Sequence, residues 1–229
     1  AEAKTDGALY ALKIISKKNM RQSDKRQAKT ERDILLAMGH SDPHPFTTGL
    51  KFAFQSVDNL YLGMTYIPGG TLRELIKRYG CLPEEWTRLY SAELVLAISH
   101  MHSLKMLYRD IKPHNVMIDA RGHITIIDFG LSKQDISSAR GAMSLVGTPD
   151  YSAPEVLKTG VHQIEANKAK QKEEKEAAKR VASGKRSPSR DKADKAAKSE
   201  EKKKREKDEE SIGYGKAADW WSLGVMIFE

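Results

Sequence analysis

Cysteine is nearly absent from this 229-residue chain, which has only Cys81. A single cysteine excludes a disulfide scaffold and fits a reducing compartment. No apolar run approaches the ~20 residues needed to span a bilayer, and no signal-peptide pattern stands at the start of the chain. We therefore expect a protein without a membrane span that works inside the cell, in the cytoplasm, the nucleus or both.

Net charge of one sign is also scarce outside a single segment. The chain carries a formal net charge of +8, but residues 165–210 hold 17 Lys/Arg and 12 Asp/Glu and contribute +5 of it, which leaves +3 for the rest. This charged segment has no aromatic residue. Proteins that bind nucleic acid present a concentrated basic face, and those that bind single strands stack bases on aromatic side chains. We therefore do not expect nucleic acid as a partner.

What the sequence does contain is a cluster of catalytic residue types near its middle. Asp110, Lys112 and Asn115 lie close together, and an Asp-Phe-Gly tripeptide begins thirteen residues after the asparagine, at Asp128. Phosphoryl transfer needs a carboxylate facing the acceptor hydroxyl, a cation on the moving phosphate and oxygen ligands for Mg²⁺. Mg²⁺ prefers oxygen ligands because it is a hard cation, so asparagine and aspartate suit that part.

These residues and their flanking motifs resemble the protein kinases. Lys13 stands in an alternating, strand-like run, and Glu31 follows in a helical pattern, as the nucleotide-binding lysine and its glutamate do in kinases. Residues 144–155 resemble the end of an activation segment. Residues 219–225 resemble the start of the large buried helix beneath the kinase active site.

Finer features point to one group within that family. The tyrosine before Arg109, the Gly-Thr-Pro-Asp-Tyr run at 147–151, the Asp-Trp-Trp at 219–221 and the Pro-Gly-Gly at 68–70 resemble the AGC group. The Ser-Leu-Val-Gly-Thr-Pro run at 144–149 is similar to the NDR/LATS-type branch. The resemblance implies an α+β, bilobal protein-kinase-like fold.

The resemblance also implies catalytic roles residue by residue. Asp110 is expected to orient the acceptor hydroxyl, and Lys112 to stabilise the transferring phosphoryl group, with the Thr148 hydroxyl supporting both. Asn115 and Asp128 are the expected Mg²⁺ ligands. Lys13 is expected to anchor the α- and β-phosphates of ATP, and Glu31 to orient Lys13. Asp219 is expected to support the catalytic loop from below.

Two further sets of residues follow from the same resemblance. The adenine pocket is expected to combine apolar side chains with a hinge that offers backbone donors and acceptors: Ala11, Met64, Thr65, Tyr66, Ile67 and Met117. The four large side chains that stack between the lobes of active kinases match Leu35, Leu50, Tyr108 and Phe129. Their retention favours an active enzyme.

Regulation is expected to involve the activation segment. A phosphate on Ser144, added by an upstream activating kinase, would order the segment through charge-assisted hydrogen bonds to Arg109. Glu155 is expected to be structural, and its family partner is an arginine in a region beyond residue 229.

Two positions depart from the AGC pattern. Many AGC kinases have acidic residues there that recognise arginine upstream of the phosphorylation site, whereas this chain has Thr71 and His114. Glu74, one helical turn from Thr71, is a candidate substitute for one of them. We expect no strong preference for arginine in the substrate.

The motifs divide the chain into four regions. Residues 1–67 are expected to form the small lobe and hinge, and residues 68–160 the part of the large lobe with the catalytic loop and activation segment. Residues 161–213 are a Lys/Glu/Ala-rich insertion, and residues 214–229 begin the buried helix. The Gly-rich loop and the last helices of the large lobe are not present, so we interpret the sequence as a fragment, truncated at both ends and inactive alone.

The insertion has too few apolar residues to offset the entropy of ordering, so disorder is expected, with short helices over 165–182 and 191–210. Three interpretations stay open. It is a tolerated loop insertion, a docking or targeting segment with a basic patch at 202–205, or a regulatory element phosphorylated around 187–189.

The expected function is transfer of the γ-phosphoryl group of Mg²⁺-ATP to serine or threonine hydroxyls of protein substrates. The serine/threonine specificity follows from Lys112, two residues after the catalytic aspartate, which is the pattern of that class. The alternative is a pseudokinase or scaffold that binds partners through the fold and the charged insertion.

Overall fold

The computed structural model describes residues 1–4, 7–41, 43–134, 142, 144–182 and 213–229. In chain order the regular elements are β1 (Tyr10–Ser16), α1 (Gln22–Leu36), β2 (Leu50–Gln55), β3 (Asn59–Thr65), α2 (Leu72–Tyr79), α3 (Glu84–Ser103), β4 (Val116–Ile118), β5 (Ile124–Ile126), α4 (Pro154–Ala182) and α5 (Ala217–Phe228). Helices and two small antiparallel sheets confirm the expected α+β class.

The chain divides into two compact units. The first contains Ala1–Ser137, Val146–Ala153 and Lys216–Glu229, and the second contains Ser138–Leu145 and Pro154–Gly215. Of the elements that the structure describes, all of the strands and every helix except α4 belong to the first unit.

The larger sheet of the first unit has three antiparallel strands in the order β1-β3-β2. Lys13 of β1 lies opposite Leu62 of β3 in the ladder, and Ala11 lies opposite Met64. Because side chains alternate between the two faces of a strand, Ala11 and Lys13 point to the same face. The register therefore places one side of the expected adenine pocket next to the expected phosphate anchor.

Helix α1 presents a mostly apolar face that includes one charge. Its buried residues are Ala28, Glu31, Ile34 and Leu35, whose spacing of three and four positions defines one helical face. Glu31 is only 4% exposed. A buried carboxylate needs a cationic or hydrogen-bonding partner, so its position on this face indicates a specific ion pair.

The core of the first unit is built around α3. Leu94, Ala97, Ile98 and Met101 are at most 2% exposed and lie on one face of that helix. They pack in a single apolar cluster with β4, β5 and α5. The tight β4–β5 hairpin and a 3₁₀ turn at Pro113–Asn115 lie on this core and fix the segment that carries Asp110 and Asn115.

Among the residues of the second unit that the structure describes is α4, which runs for 29 residues. The helix covers 165–182, as predicted, and it continues across position 161 without a break, whereas the predicted helix over 191–210 lies outside the described residues. Tyr214 is 2% exposed and pairs with Ala142 through two backbone hydrogen bonds of 2.8 and 3.0 Å. Among the helices that the structure describes, none combines the length and apolar composition required to cross a membrane.

Candidate active site

Lys13, Glu31 and Asp128 form a compact group that we call the lysine cluster. The Lys13 Nζ lies 2.6 Å from Glu31 Oε1 and 2.9 Å from Asp128 Oδ1. Three elements distant in sequence meet here, namely β1, α1 and the segment after β5. The Glu31 side chain is 5% exposed and that of Asp128 is 50% exposed, so Lys13 contacts one buried acid and one half-exposed acid.

The charges of the lysine cluster reinforce one another. Burial alone would lower the pKa of Lys13, but hydrogen bonds and Coulombic attraction from Glu31 and Asp128 outweigh burial and raise the pKa above its usual value. Burial likewise would raise the pKa of Asp128, but Lys13, the Gly130 N–H and Lys112 outweigh it and lower the pKa. All of these shifts favour the charged forms.

Asp128 adopts a backbone conformation that is unusual for a residue with a side chain. Its φ is 59°, in the left-handed region, which non-glycine residues rarely occupy. Phe129 after it is 1% exposed and packs edge-to-face on Tyr108 with ring centroids 5.5 Å apart. The buried ring therefore helps to stabilise the backbone that directs the Asp128 carboxylate towards Lys13.

Asp110, Lys112, Asn115 and Thr148 form a second group, the Asp110 cluster. Asp110 Oδ1 accepts a 2.9 Å hydrogen bond from the Thr148 hydroxyl, while Oδ2 accepts one of 2.8 Å from the Asn115 amide. The Lys112 Nζ lies 2.8 Å from Asp110 Oδ2 and donates to Thr148 Oγ1 at 2.8 Å. The lysine, the threonine and the carboxylate thus form a closed ring of hydrogen bonds.

Local sequence explains how these side chains converge. Pro113 starts the 3₁₀ turn that brings Asn115 back over Asp110, and the Asn115 N–H donates to the Lys112 carbonyl at 3.0 Å. Gly147 has a φ of 105°, and a Cβ there would come within 2.5 Å of the Arg109 carbonyl oxygen. Only glycine permits this approach, so residue 147 has to be glycine if the Thr148 hydroxyl is to reach Asp110.

The loop that carries Asp110 is supported by Asp219 at the start of α5. Asp219 is 1% exposed, and its carboxylate accepts from the Tyr108 N–H at 3.0 Å and the Arg109 N–H at 2.8 Å. The His102 Nε2 lies 2.8 Å from the same carboxylate. Arg109 itself has a φ of 70°, in the left-handed region. The two charge-assisted hydrogen bonds therefore stabilise a strained stretch of backbone just before Asp110.

The structure also places the expected adenine-pocket residues. Ala11 and Met64 are cross-strand neighbours, and Met117 forms an isolated bridge with Thr71 at the entrance to α2. Thr65 ends β3, and the two residues after it differ in exposure, with Tyr66 at 48% and Ile67 at 7%. The four large residues that are expected to stack between the lobes are all buried in one apolar cluster: Leu35, Leu50, Tyr108 and Phe129.

The expected regulatory residues are described in different units. Arg109, in the first unit, donates from Nε to the Leu131 carbonyl oxygen at 2.6 Å. Ser144, in the second unit, accepts at its carbonyl oxygen a 2.8 Å hydrogen bond from the Tyr214 hydroxyl. Glu155 lies in the first turn of α4, where an acid is favoured by the helix dipole.

Glu74 has a structural role at the start of α2, in addition to its expected place near the substrate. It forms a capping box with Thr71 at the start of α2, in which its Oε2 accepts from the Thr71 N–H at 2.7 Å and the Thr71 hydroxyl at 3.0 Å. The Thr71 backbone bond is the main reason why the pKa of Glu74 is lowered. One of its two carboxylate oxygens is therefore committed to the helix start.

The donor set fits a magnesium ion of the kind that keeps water and phosphate ligands. Asn115 uses its amide nitrogen on Asp110, which leaves its carbonyl oxygen as the acceptor, and Asp128 supplies a half-exposed carboxylate. No group of three or more His, Cys, Asp or Glu side chains suited to a metal occurs in the part of the chain that the structure describes. Mg²⁺ is usually bound by one or two protein oxygens together with phosphates, so two ligands suffice.

Several contacts in the site were not anticipated from sequence. His102 supports Asp219, and Gln27 of α1 donates to the Gly130 carbonyl at 2.8 Å. Glu229 accepts hydrogen bonds from both the Arg73 guanidinium and the Tyr151 hydroxyl. Burial, and after it the contact with Glu229, raises the pKa of Tyr151 to about 12. Each of these contacts joins residues far apart in sequence, so no local pattern reveals them.

Comparison with known proteins agrees with this geometry. A family model described as the protein kinase domain matches residues 1–175. Protein kinase 3 of Dictyostelium discoideum is 34% identical over 236 residues, covering 99% of this chain and 20% of that protein. Ribosomal protein S6 kinase alpha-2 of Homo sapiens is 42% identical over 223 residues, which is 97% of this chain and 23% of that protein. Serine/threonine-protein kinase Sgk1 of Rattus norvegicus is 40% identical over 158 residues, 69% of this chain and 36% of that protein.

The chain belongs to the protein kinase family, among the AGC-type serine/threonine kinases. This confirms the family and group expected from the motifs, while the NDR/LATS-type branch stays a prediction. Members of the family generally use ATP and Mg²⁺. The chain spans between a fifth and just over a third of the length of these three relatives.

Proposed function

We propose that the whole protein is a serine/threonine kinase that transfers the γ-phosphoryl group of Mg²⁺-ATP to hydroxyls of protein substrates. The observation that carries this proposal is the Asp110 cluster, in which a carboxylate, an ammonium group and a hydroxyl meet within 2.9 Å of one another. Such a site can hold an acceptor hydroxyl and a negatively charged phosphoryl group side by side. The family assignment agrees with it.

Asp110 orients the attacking hydroxyl in this mechanism. The named donors Thr148, Asn115 and Lys112 use three of about four lone-pair positions on its carboxylate, so a substrate hydroxyl can donate to the fourth. The carboxylate then accepts the hydroxyl proton as the new O–P bond forms, while the bond from the γ-phosphorus to the β,γ-bridging oxygen breaks and ADP leaves. Lys112 stays beside the reacting oxygens and stabilises the charge on the moving phosphoryl group.

The lysine cluster holds the nucleotide. Glu31 is buried and fixes the Lys13 ammonium, which donates to the α- and β-phosphate oxygens of bound ATP. Asn115 and Asp128 are the residues that would hold Mg²⁺, and the bound ion would neutralise phosphate charge during transfer. Ala11, Met64 and Met117 provide the apolar faces for adenine, and residues 65–67 its backbone partners.

The region boundaries and location proposed from the sequence fit this function. Residues 1–67 and 68–160 form the two lobes, 161–213 the insertion and 214–229 the start of the buried helix, in a protein that works inside the cell. Most of the insertion lies outside the described residues, so its three interpretations remain alternatives. The scaffold alternative is not favoured, because every expected catalytic and ATP-anchoring residue is retained.

We propose that an upstream kinase activates the protein by phosphorylating Ser144. The support is the guanidinium of Arg109 beside the catalytic aspartate, because a phosphate would gain charge-assisted hydrogen bonds from it. The Ser144→Ala variant of the full-length protein should lose most of its activity even after treatment with activating kinase. Unchanged activity in that variant would reject the proposal.

Substrate choice is expected to lack a strong requirement for arginine three residues upstream of the phosphorylated residue. Thr71 and His114 replace the acids that would recognise it, and Glu74 is partly committed to its capping box. A positional peptide library tests this directly. A strong enrichment of arginine at that position would contradict the proposal.

The decisive experiment measures transfer of labelled γ-phosphate from ATP to a serine/threonine peptide library by the full-length protein. Asp110→Ala should lower kcat by about 10²- to 10⁴-fold, the usual contribution of a positioned acid or base. Asp58→Ala, at the exposed turn between β2 and β3, serves as the matched control and should leave kcat unchanged. Transfer that persists equally in Asp110→Ala would rule out the proposed mechanism.

A further inference from the structure

Gln27 makes a contact that none of the kinase motifs accounts for. It lies on α1 four residues before Glu31, so the two side chains share a helical face. Its Nε2 donates to the Gly130 carbonyl oxygen at 2.8 Å, across 103 residues of sequence. The helix that carries Glu31 is thereby bonded directly to the Asp-Phe-Gly segment.

Gly130 lies against all three members of the lysine cluster. A Cβ at Gly130 would stand 3.2 Å from Asp128 Oδ1, 3.5 Å from Glu31 Oε2 and 3.6 Å from Lys13 Nζ. The Gly130 N–H also donates to Asp128 Oδ1 at 3.2 Å. The peptide units of this glycine therefore contact Asp128 through the nitrogen and α1 through the carbonyl oxygen.

We propose that Gln27 is a positioning residue, whose amide donor fixes Gly130 and through it holds Asp128 at its contact with Lys13. The left-handed φ of 59° at Asp128 has to be held by its surroundings, because a residue with a side chain does not adopt it freely. Phe129 is held on one side by packing against Tyr108. Gln27 supplies the matching restraint on the other side of the tripeptide.

The consequence for catalysis rests on the proposed function, in which Asp128 is a Mg²⁺ ligand. Loss of the Gln27 donor leaves Lys13 and Glu31 in place but loosens Asp128. The apparent Mg²⁺ requirement and KM for ATP should therefore rise, while KM for the peptide substrate stays unchanged. A purely structural role would lower the amount of folded enzyme and would not produce this split.

The test compares Gln27→Met with Gln22→Met in the full-length protein without nucleotide. Gln22 is exposed in the first turn of the same helix, so the second variant makes the same substitution away from Gly130. Amide hydrogen exchange of residues 128–131 should quicken by about 3- to 10-fold in Gln27→Met, the range of one hydrogen bond, and not in Gln22→Met. In steady-state assays Gln27→Met should raise the Mg²⁺ concentration for half-maximal activity by a similar factor.

Each outcome decides the point. Unchanged exchange in residues 128–131 overturns the proposal whatever the kinetics show. Faster exchange with an unaltered Mg²⁺ requirement and KM for ATP also overturns it, because the contact would then be only structural. If the wild-type protein transfers no phosphate, the proposed function fails, yet the exchange experiment still shows whether Gln27 holds the segment.

Discussion

The lysine cluster and the Asp110 cluster are built in opposite ways. The Asp110 cluster closes within one short loop, apart from Thr148, and rests on the buried Asp219. The lysine cluster joins three distant elements, and its Asp128 side chain is half exposed. Strained backbone occurs in both, at Arg109 with a φ of 70° and at Asp128 with a φ of 59°.

This difference indicates which part of the site is fixed and which part depends on the position of α1. The strain at Arg109 is offset by two hydrogen bonds to a buried carboxylate, which are short and shielded from water. The strain at Asp128 is offset by the buried Phe129 ring and by side-chain contacts that are exposed, and the exposed contacts are weaker because water competes for them. The Asp110 cluster should therefore keep its geometry when α1 moves, whereas the lysine cluster should not.

Removal of the buried Asp219 carboxylate is expected to have the largest effect on the site. Asp219→Ala leaves the buried Tyr108 N–H and the partly buried Arg109 N–H without their acceptor, at a cost of up to about 1–3 kcal/mol each. We expect Tm to fall by about 5–15 °C and phosphoryl transfer to be lost. A thermal-unfolding measurement beside Asp58→Ala checks this, and a fall of only a degree or two would mean that the loop is held by other contacts.

The coupling inside the lysine cluster can be measured with a double-mutant cycle. Lys13→Met and Glu31→Gln should each lower kcat/KM for ATP by about 10- to 100-fold, because each removes a hydrogen bond to a charged group. The double variant should be little worse than Lys13→Met alone, since Glu31 acts through Lys13. Lys17→Met, just past the end of β1, is the control.

Fully additive losses in that cycle would contradict the assignment. They would show that Glu31 contributes to ATP binding by a route other than Lys13.

A smaller effect is expected at Thr148. Thr148→Val removes a hydroxyl of similar shape and with it one bond to Asp110 and one from Lys112. We expect kcat to fall by about 3- to 10-fold, the worth of ordinary hydrogen bonds. Thr148→Ser keeps the hydroxyl and should stay close to wild type, and an equal loss in both variants would point to the methyl group instead.

The smallest expected effect concerns pH. The lowered pKa of Asp128 contributes stability above its usual value of 3.8 and loses it as pH falls through the folded-state pKa. The raised pKa of Lys13 contributes stability that is complete below its usual value of 10.5 and is lost as pH rises through the folded-state pKa. Both contributions to stability are therefore complete between about pH 5 and about pH 9.

The difference in unfolding free energy between wild type and Lys13→Met should therefore be constant across that range and shrink beyond both ends. Urea unfolding at a series of pH values measures it. A difference that changes steadily within that range would show that other groups control the cluster.

Many of the site residues could be predicted from the sequence because they lie in short motifs. The order of Asp110, Lys112 and Asn115 in one loop, and the helical face carrying Glu31, could be read from spacing alone. Thr71-Leu72-Arg73-Glu74 also carries the Thr-x-x-Glu signature of a capping box, so the structural use of Glu74 was open to prediction and was missed.

Local patterns in the sequence were enough to predict the family, the α+β class, the helical face of α1 and the residue types available for phosphoryl transfer. The long-range contacts depend on the packing of the folded chain: His102 with Asp219, Gln27 with Gly130, and Glu229 with Arg73 and Tyr151. The physical reason is that periodicity and turn chemistry act over a few residues, whereas these contacts join positions 78 to 156 residues apart. Such contacts form only when the packed core has fixed the approach of one element to another.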